Sequence, residues 1–259
     1  GHVTGVQTCA LPISFQPRDY WEVHARFGAK AGEYAGRWFD PSFKKDDDGE
    51  RKPERLWTKD RAEAIAAACV GKPGIATEET KPTMQAPPQL YDLTTLQRDA
   101  NGRFGFSARA TLALAQSLYE KHKAFTYPRT DSRALPEDYV DTVKKTMDAL
   151  SERREFAPFA KQILKAGWVK PNRRIFDNTK ISDHFAIIPT LQTPGNLSEP
   201  EAKLYDLVVR RFLAIFFPSA EFLQTTRITT VGDLQFRTDG KVLHNPGYLA
   251  VYGRSVQEE

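Results

Sequence analysis

The spacing of apolar residues changes period twice along the chain, and this sets the order of its architecture before any motif is considered. Over residues 15–39 aromatic and polar side chains alternate, as in Tyr20-Trp21-Glu22-Val23-His24-Ala25-Arg26-Phe27, the two-residue period of a half-buried strand. Gly28, Gly32 and Gly36 punctuate this stretch into a hairpin. Residues 44–52 mix charges with no apolar side chain and read as a solvated loop, Asp46-Asp47-Asp48 included. An alanine-rich helix follows over residues 59–70. The Pro/Thr-rich stretch 72–88 reads as a domain crossing, because its prolines resist both helix and central strand.

Beyond it the period becomes helical. Helices are expected over residues 93–101, 107–121, 136–150 and, more briefly, within 155–171. Ser107 caps the second of these and places Leu112, Ala115, Leu118 and Tyr119 on one face. Residues 199–217 form the strongest amphipathic helix, with Ser198 as its cap and Leu204, Leu207, Val208, Phe212 and Ile215 inward. Residues 225–231 and 233–237 then return to the strand period around a Gly232-Asp233 turn. The expected class is α+β, with a β-rich domain interrupted by an α-rich one and crossings near Lys81 and Pro218.

A chain of 259 residues, 40% hydrophobic, can bury the core of one large or two ordinary domains. Its longest apolar run, Leu213-Ala214-Ile215-Phe216-Phe217, is far short of the ~20 residues of a membrane-spanning helix, so no membrane partner is expected. The net charge of +4 is compatible with a polyanionic partner without demanding one. Cys9 and Cys69 show neither metal-ligand spacing nor a disulfide framework, and a reducing cytoplasm is the expected location. Residues 1–14 stand apart. They lack the basic start and cleavage site of a secretory signal, and their reverse translation resembles a common sequencing adapter, so native protein is expected to start near Phe15.

The sharpest chemical constellation is Phe125-Thr126-Tyr127-Pro128-Arg129-Thr130-Asp131-Ser132-Arg133. It sets a phenol two residues from a guanidinium, with hydroxyls and a carboxylate close behind. A tyrosine of ordinary pKa, about 10, attacks a phosphodiester at neutral pH only with a base or a positive charge beside it. Arg129 offers a planar, permanently charged fork for the phosphate. On these residues alone, a packed Tyr-Pro turn after a helix accounts for the pattern equally well, and both readings stay open.

Several ordered blocks then point one way. Leu90-Tyr91-Asp92-Leu93-Thr94-Thr95-Leu96-Gln97-Arg98, Phe104-Gly105-Phe106-Ser107-Ala108, Ala115-Gln116-Ser117-Leu118-Tyr119-Glu120, Thr126-Tyr127-Pro128-Arg129-Thr130-Asp131-Ser132 and His184-Phe185-Ala186-Ile187-Ile188-Pro189-Thr190 together resemble the active-site region of type IA DNA topoisomerases. The forms are closer to topoisomerase III than to topoisomerase I. The resemblance implies a partial toroidal core. Residues 15–79 and 219–259 would belong to a β-rich arch, and residues 80–218 to an α-rich, winged-helix-like domain bearing the tyrosine. It implies ATP-independent cleavage of single-stranded DNA, with Tyr127 holding the 5′ end as a phosphotyrosine, Arg129 positioning that phosphate and His184 beside it. Thr94, Thr95 and Gln97 at a helix start, with Thr130 and Ser132, would meet the DNA; hydroxyls at helix starts are as often caps. The Mg²⁺ of the family would be held by a separate TOPRIM domain expected before Phe15, so no metal ligands are expected in this chain and the chain by itself is expected to be inactive. No glycine-rich phosphate loop points to a nucleotide cofactor. His244-Asn245-Pro246-Gly247-Tyr248-Leu249-Ala250-Val251-Tyr252 resembles the family's returning strand region.

Other phosphotyrosine chemistries fit less well. A tyrosine recombinase places its histidine and arginines before a C-terminal tyrosine, whereas Tyr127 precedes His184, and a relaxase needs paired histidines where these five are scattered. The serious alternative is a non-catalytic winged-helix-like module that only binds DNA. The two differ in what they ask of Tyr127: a binding module tolerates loss of the phenol oxygen, and a transesterase does not.

Overall fold

The computed structural model describes residues 17–254; residues 1–14, expected to be foreign, lie outside that span. The chain divides into two compact units, one comprising residues up to Lys81 with Gln224–Gly240, the other Pro82–Leu223 with the residues from Lys241 onward.

In the first unit, β1 (His24–Ala29) and β2 (Gly32–Phe39) pair antiparallel through Ala29↔Gly32, as the alternating pattern requires. Gly32 takes φ 127° at the turn, a conformation open chiefly to glycine. The strand order is β1-β2-β5-β4-β3, with β3 Ile75–Gln85, β4 Ala220–Val231 and β5 Leu234–Asn245. Helix α1 (Lys59–Cys69) contributes Ala62 and Ile65 to a small core with Val23, Trp38, Leu56, Val231 and Phe236. The stretch expected to be a non-strand crossing is in fact β3. It lies at the sheet edge, where Pro82 removes no ladder hydrogen bond that the sheet needs.

The second unit is built around one helix. α6 (Glu199–Phe216) starts in a capping box in which Ser198 and Glu201 each satisfy the other's backbone N–H. Its burial exceeds the single inward face expected. Besides Leu204, Leu207, Val208, Phe212 and Ile215, it buries Tyr205, Val209, Leu213, Ala214 and Phe216, because a helix apolar on all sides is stable only when surrounded. Around it stand α2 (Leu93–Phe104), α3 (Ala108–Glu120), α4 (Val140–Leu150) and α5 (Ala157–Ala166). α2 ends at Gly105 with φ 71°, the left-handed stop that glycine provides.

The stretch 219–259, expected to belong wholly to the arch, is divided. Gln224–Gly240 stays with the strands, whereas the residues from Lys241 join the helical unit. The expected returning strand is a 3-10 turn, Gly247–Tyr252, since Tyr248, Leu249 and Val251 bury in the helical core. Gly247 has φ +49°, and a Cβ there would meet the Ser219 and Pro218 carbonyl oxygens at 2.4 and 2.6 Å.

Two predictions follow from this packing. Gly247→Ala combines a left-handed backbone with a backbone clash, and is expected to lower unfolding free energy by at least about 2 kcal/mol in urea titrations. The Glu201 carboxylate is held at about 2 from an ordinary value of 4.5, first by the Ser198 N–H and then, against partial burial, by the Ser117 and Ser198 side chains and His122. A folded value below the unfolded one means stabilisation present in full above pH 4.5 and lost as pH falls towards 2. Glu201→Gln is expected to cost about 1–3 kcal/mol at neutral pH, and the gap between urea midpoints of the two proteins should narrow steadily below pH 4.5.

Candidate active site

Two irregular segments carry the residues of interest, and the core forces them together. Phe125, Thr126, Ala186, Ile187, Ile188 and Pro189 are all buried, so their backbone groups must pair with each other. Phe125 and Tyr91 form isolated antiparallel bridges with Pro189 and Ile187. Ile187 N–H donates to Tyr91 O at 2.9 Å, and Thr190 N–H to Ala124 O at 2.9 Å. Thr126 closes the gap. Its N–H donates to Ile188 O at 3.1 Å, its hydroxyl donates to Ala186 O at 2.9 Å, and the same oxygen accepts Ile188 N–H at 3.0 Å.

This stitching brings Tyr127 and His184 into contact, with ring centroids 4.1 Å apart at 37°. Tyr119, at the end of α3, meets the other side of the phenol edge-on, 5.4 Å away at 80°. The nucleophile candidate is thus half-buried and held between two rings. The approach to it turns at Lys123, a non-glycine residue with φ 55° among the described residues, and Ala124 N–H reaches back to Leu118 O at 2.8 Å.

An open hollow of about 390 Å³ lies alongside, lined by Thr94, Arg129, Thr130, Asp131, Asp183 and His184 among others. Arg129, His184 and Thr94 are exposed there. The structure thereby gathers the three residues assigned chemistry in the sequence.

The five expected DNA contacts separate. Thr94 faces solvent at the hollow. Thr95 completes a capping box with Asp92, its N–H donating to Asp92 Oδ1 at 2.8 Å and its hydroxyl at 2.6 Å. Gln97 donates to Ala108 O at 3.0 Å, tying α2 to α3. Thr130 is buried and accepts Ser132 N–H at 3.1 Å; Ser132 is buried and donates to Lys180 O at 2.8 Å. Four of the five side chains therefore already hold partners within the chain. Burial works to raise the Asp92 carboxyl, yet the hydrogen bonds from Thr95 and from Arg133, at 3.0 Å, pull it below the usual range, so the cap stays charged at neutral pH.

Thr126 and Tyr119 carry positioning roles that the sequence did not single out. The Thr-Tyr pair offered one usable signal, a buried hydroxyl beside a nucleophile. Among the described residues no three of His, Cys, Asp and Glu converge as a metal site. Asp46 and Asp48 instead accept backbone N–H groups of their own loop, from Asp48 and Glu50. Among the same residues no helix is long and apolar enough to cross a membrane.

Removing the Thr126 hydroxyl leaves Ala186 O and Ile188 N–H buried without that partner. Thr126→Val is expected to cost about 1–3 kcal/mol by urea titration, with Thr126→Ser recovering most of the loss.

Residues 10–259 match the family described as DNA topoisomerase. The chain is 43% identical over 198 residues to DNA topoisomerase 3 of Bacillus licheniformis, covering 75% of this chain and 27% of that protein. It is 40% identical over 215 residues to DNA topoisomerase 3 of Bacillus subtilis, covering 82% of this chain and 29% of that protein. The chain thus spans between a quarter and a third of the length of these relatives. Full-length topoisomerase I from Thermotoga maritima shares the fold, with a TM-score of 0.58 at 20% identity over 93% of this chain and 37% of that one. The ordered motifs around Tyr127 and these matches agree: the chain belongs to the type IA DNA topoisomerases and is similar to topoisomerase 3.

Proposed function

We propose that this chain supplies the strand-cleaving tyrosine of a topoisomerase acting on single-stranded DNA. The observation that carries the reading is the convergence, from segments distant in sequence, of Tyr127, His184 and Arg129 at one open hollow. Tyr127 Oη attacks a backbone phosphorus. A phosphotyrosine bond forms to the 5′ side, the bond to the 3′ oxygen breaks, and the phenol proton is balanced by the one taken up by the departing 3′ hydroxyl. One phosphodiester is exchanged for another, so the bond energy is conserved and religation is the same step in reverse, without a nucleotide cofactor.

The roles follow from exposure and charge. Arg129 is solvent-facing at the hollow, free to present its fork to the phosphate oxygens. His184 contacts the phenol ring and fixes its direction, and its exposed edge lies where the phosphate would sit. Thr94, at the first turn of α2, is placed to contact the neighbouring backbone. The family's Mg²⁺ does not fit any donor set of the described residues; in this proposal its ligands lie in another part of the protein. Relaxation or unlinking of DNA by strand passage belongs to that whole protein, in the bacterial cytoplasm where its DNA lies.

The test is a chimera in which this chain replaces the matching segment of Bacillus subtilis DNA topoisomerase 3, incubated with Mg²⁺ and a labelled single-stranded oligonucleotide. A covalent 5′ adduct is expected, and Tyr127→Phe should abolish it while leaving binding intact. Equal binding without an adduct from the parent chimera would leave only a DNA-binding module.

A further inference from the structure

A second hollow of about 360 Å³ adjoins the first within the same unit, and both are lined by Asp131. Its other groups include Gln89, Asp92, Arg133, Arg174 and Lys180. No aromatic side chain lines it, so it offers no platform for stacking a base. What it offers is guanidinium and ammonium donors, the groups that suit phosphate oxygens.

The cations are set in place by the segment that follows Tyr127. Ser132 Oγ donates to Lys180 O at 2.8 Å. Leu135 N–H donates to Ile175 O at 2.8 Å, and Asp177 N–H donates to Leu135 O at 3.0 Å, fixing the chain on either side of Phe176 and hence next to Arg174. Arg174 is further anchored by its guanidinium on Pro87 O. Arg133 is committed to Asp92, and Lys180, with half its side chain exposed, faces Asp177 at 3.7 Å.

Charge along the sequence leads to the same place. Residues 156–176 carry Lys161, Lys165, Lys170, Arg173 and Arg174 and no Asp or Glu, a charge of 5 − 0 = +5, against 37 − 33 = +4 for the whole chain. The chain's entire basic excess is therefore matched by this one segment, all five of whose cations are exposed, and the segment ends at the hollow.

We infer that the Arg174–Lys180 hollow seats a backbone phosphate of the single strand whose 5′ end Tyr127 holds, beyond the scissile position. The inference rests on the cleavage reading above and extends it: the piece of DNA that stays joined to the tyrosine is gripped by the tyrosine's own unit at a second point, with Asp131 separating the two phosphate positions. The exposed lysines of residues 161–170 extend the same path.

The experiment is fluorescence anisotropy of a ~12-nucleotide oligothymidylate, a length within the reach of one binding groove, over a salt series with the same chimera carrying Arg174→Gln and Lys180→Gln. Each lost phosphate contact on a single strand lowers the slope of log K against log salt by about 0.7, so the double variant is expected to flatten it by about 1.4. A control removing two charges elsewhere, Lys30→Gln with Lys44→Gln, should leave the slope unchanged, and Arg174→Lys should restore most of the Arg174 contribution. Matching circular dichroism and urea midpoints establish that the variants fold. An unchanged slope in the double variant while the parent still forms the Tyr127 adduct overturns the second phosphate seat alone. A flattened slope with no adduct from the parent removes the cleavage reading and keeps the hollow as a DNA contact; no binding by the parent removes both.

Discussion

The site depends on how two irregular segments satisfy their buried backbone. Neither 124–127 nor 186–190 belongs to a named helix or strand, yet both lie in the core, where an unpaired N–H or C=O costs on the order of 1–3 kcal/mol. The available solution is for each to serve as the other's partner, through the Phe125–Pro189 and Tyr91–Ile187 bridges and the Thr126 hydroxyl that both donates and accepts. The pairing fixes the register between the segments. A slip of one residue would turn Tyr127 or His184 away from the other, because successive side chains of extended backbone point to opposite sides. The contact of the two rings is thus a consequence of backbone bookkeeping one residue away.

That pairing needs a rigid floor, and α6 provides it. Phe125 stacks on Tyr205 at 6.0 Å, and Arg211 reaches from the same helix to Gln89 O, Tyr91 OH and Asp99 at 2.9, 3.1 and 2.7 Å. Tyr91 in turn donates to Asp99 at 2.6 Å, and burial, opposed by the Arg211 charge, pushes its phenol well above the ordinary range. Tyr91 therefore stays protonated and structural, in contrast with the half-buried Tyr127. Two tyrosines in the same unit are given different roles by their surroundings, one locked in an ion-pair network, the other held by ring contacts beside an open hollow.

The helices and their starts were legible in the sequence because each is written locally. Ser107 and Ser198 sit where caps are needed, and the 3.6-residue period identifies the faces. The tyrosine block was legible as chemistry but ambiguous without the family resemblance, since a buried turn and a nucleophile use the same residues. What escaped was set by tertiary context. Residues 75–85 looked unfit for a strand until an edge position made Pro82 harmless, and residues 247–252 looked like a strand until the apolar Tyr248, Leu249 and Val251 found the helical core. Thr95 was ambiguous in sequence, and the spacing from Asp92 to Thr95 was the overlooked signal of a reciprocal cap.

The same distinction governs which polar groups are free to meet a polyanion. Short hydroxyls near a nucleophile are drawn into the backbone they sit beside, as Thr95, Thr130 and Ser132 show. Long cationic side chains keep their stems on the protein while their heads stay in water, as at Arg129, Arg174 and Lys180, all exposed. Around Tyr127 the short polar residues therefore build the shape of the groove, and the arginines and lysine set its electrostatics. A net charge of +4 spread over 259 residues conceals this: what steers a phosphate backbone is the local absence of carboxylates along 156–176 and the few guanidinium groups held at the groove by the tyrosine segment itself.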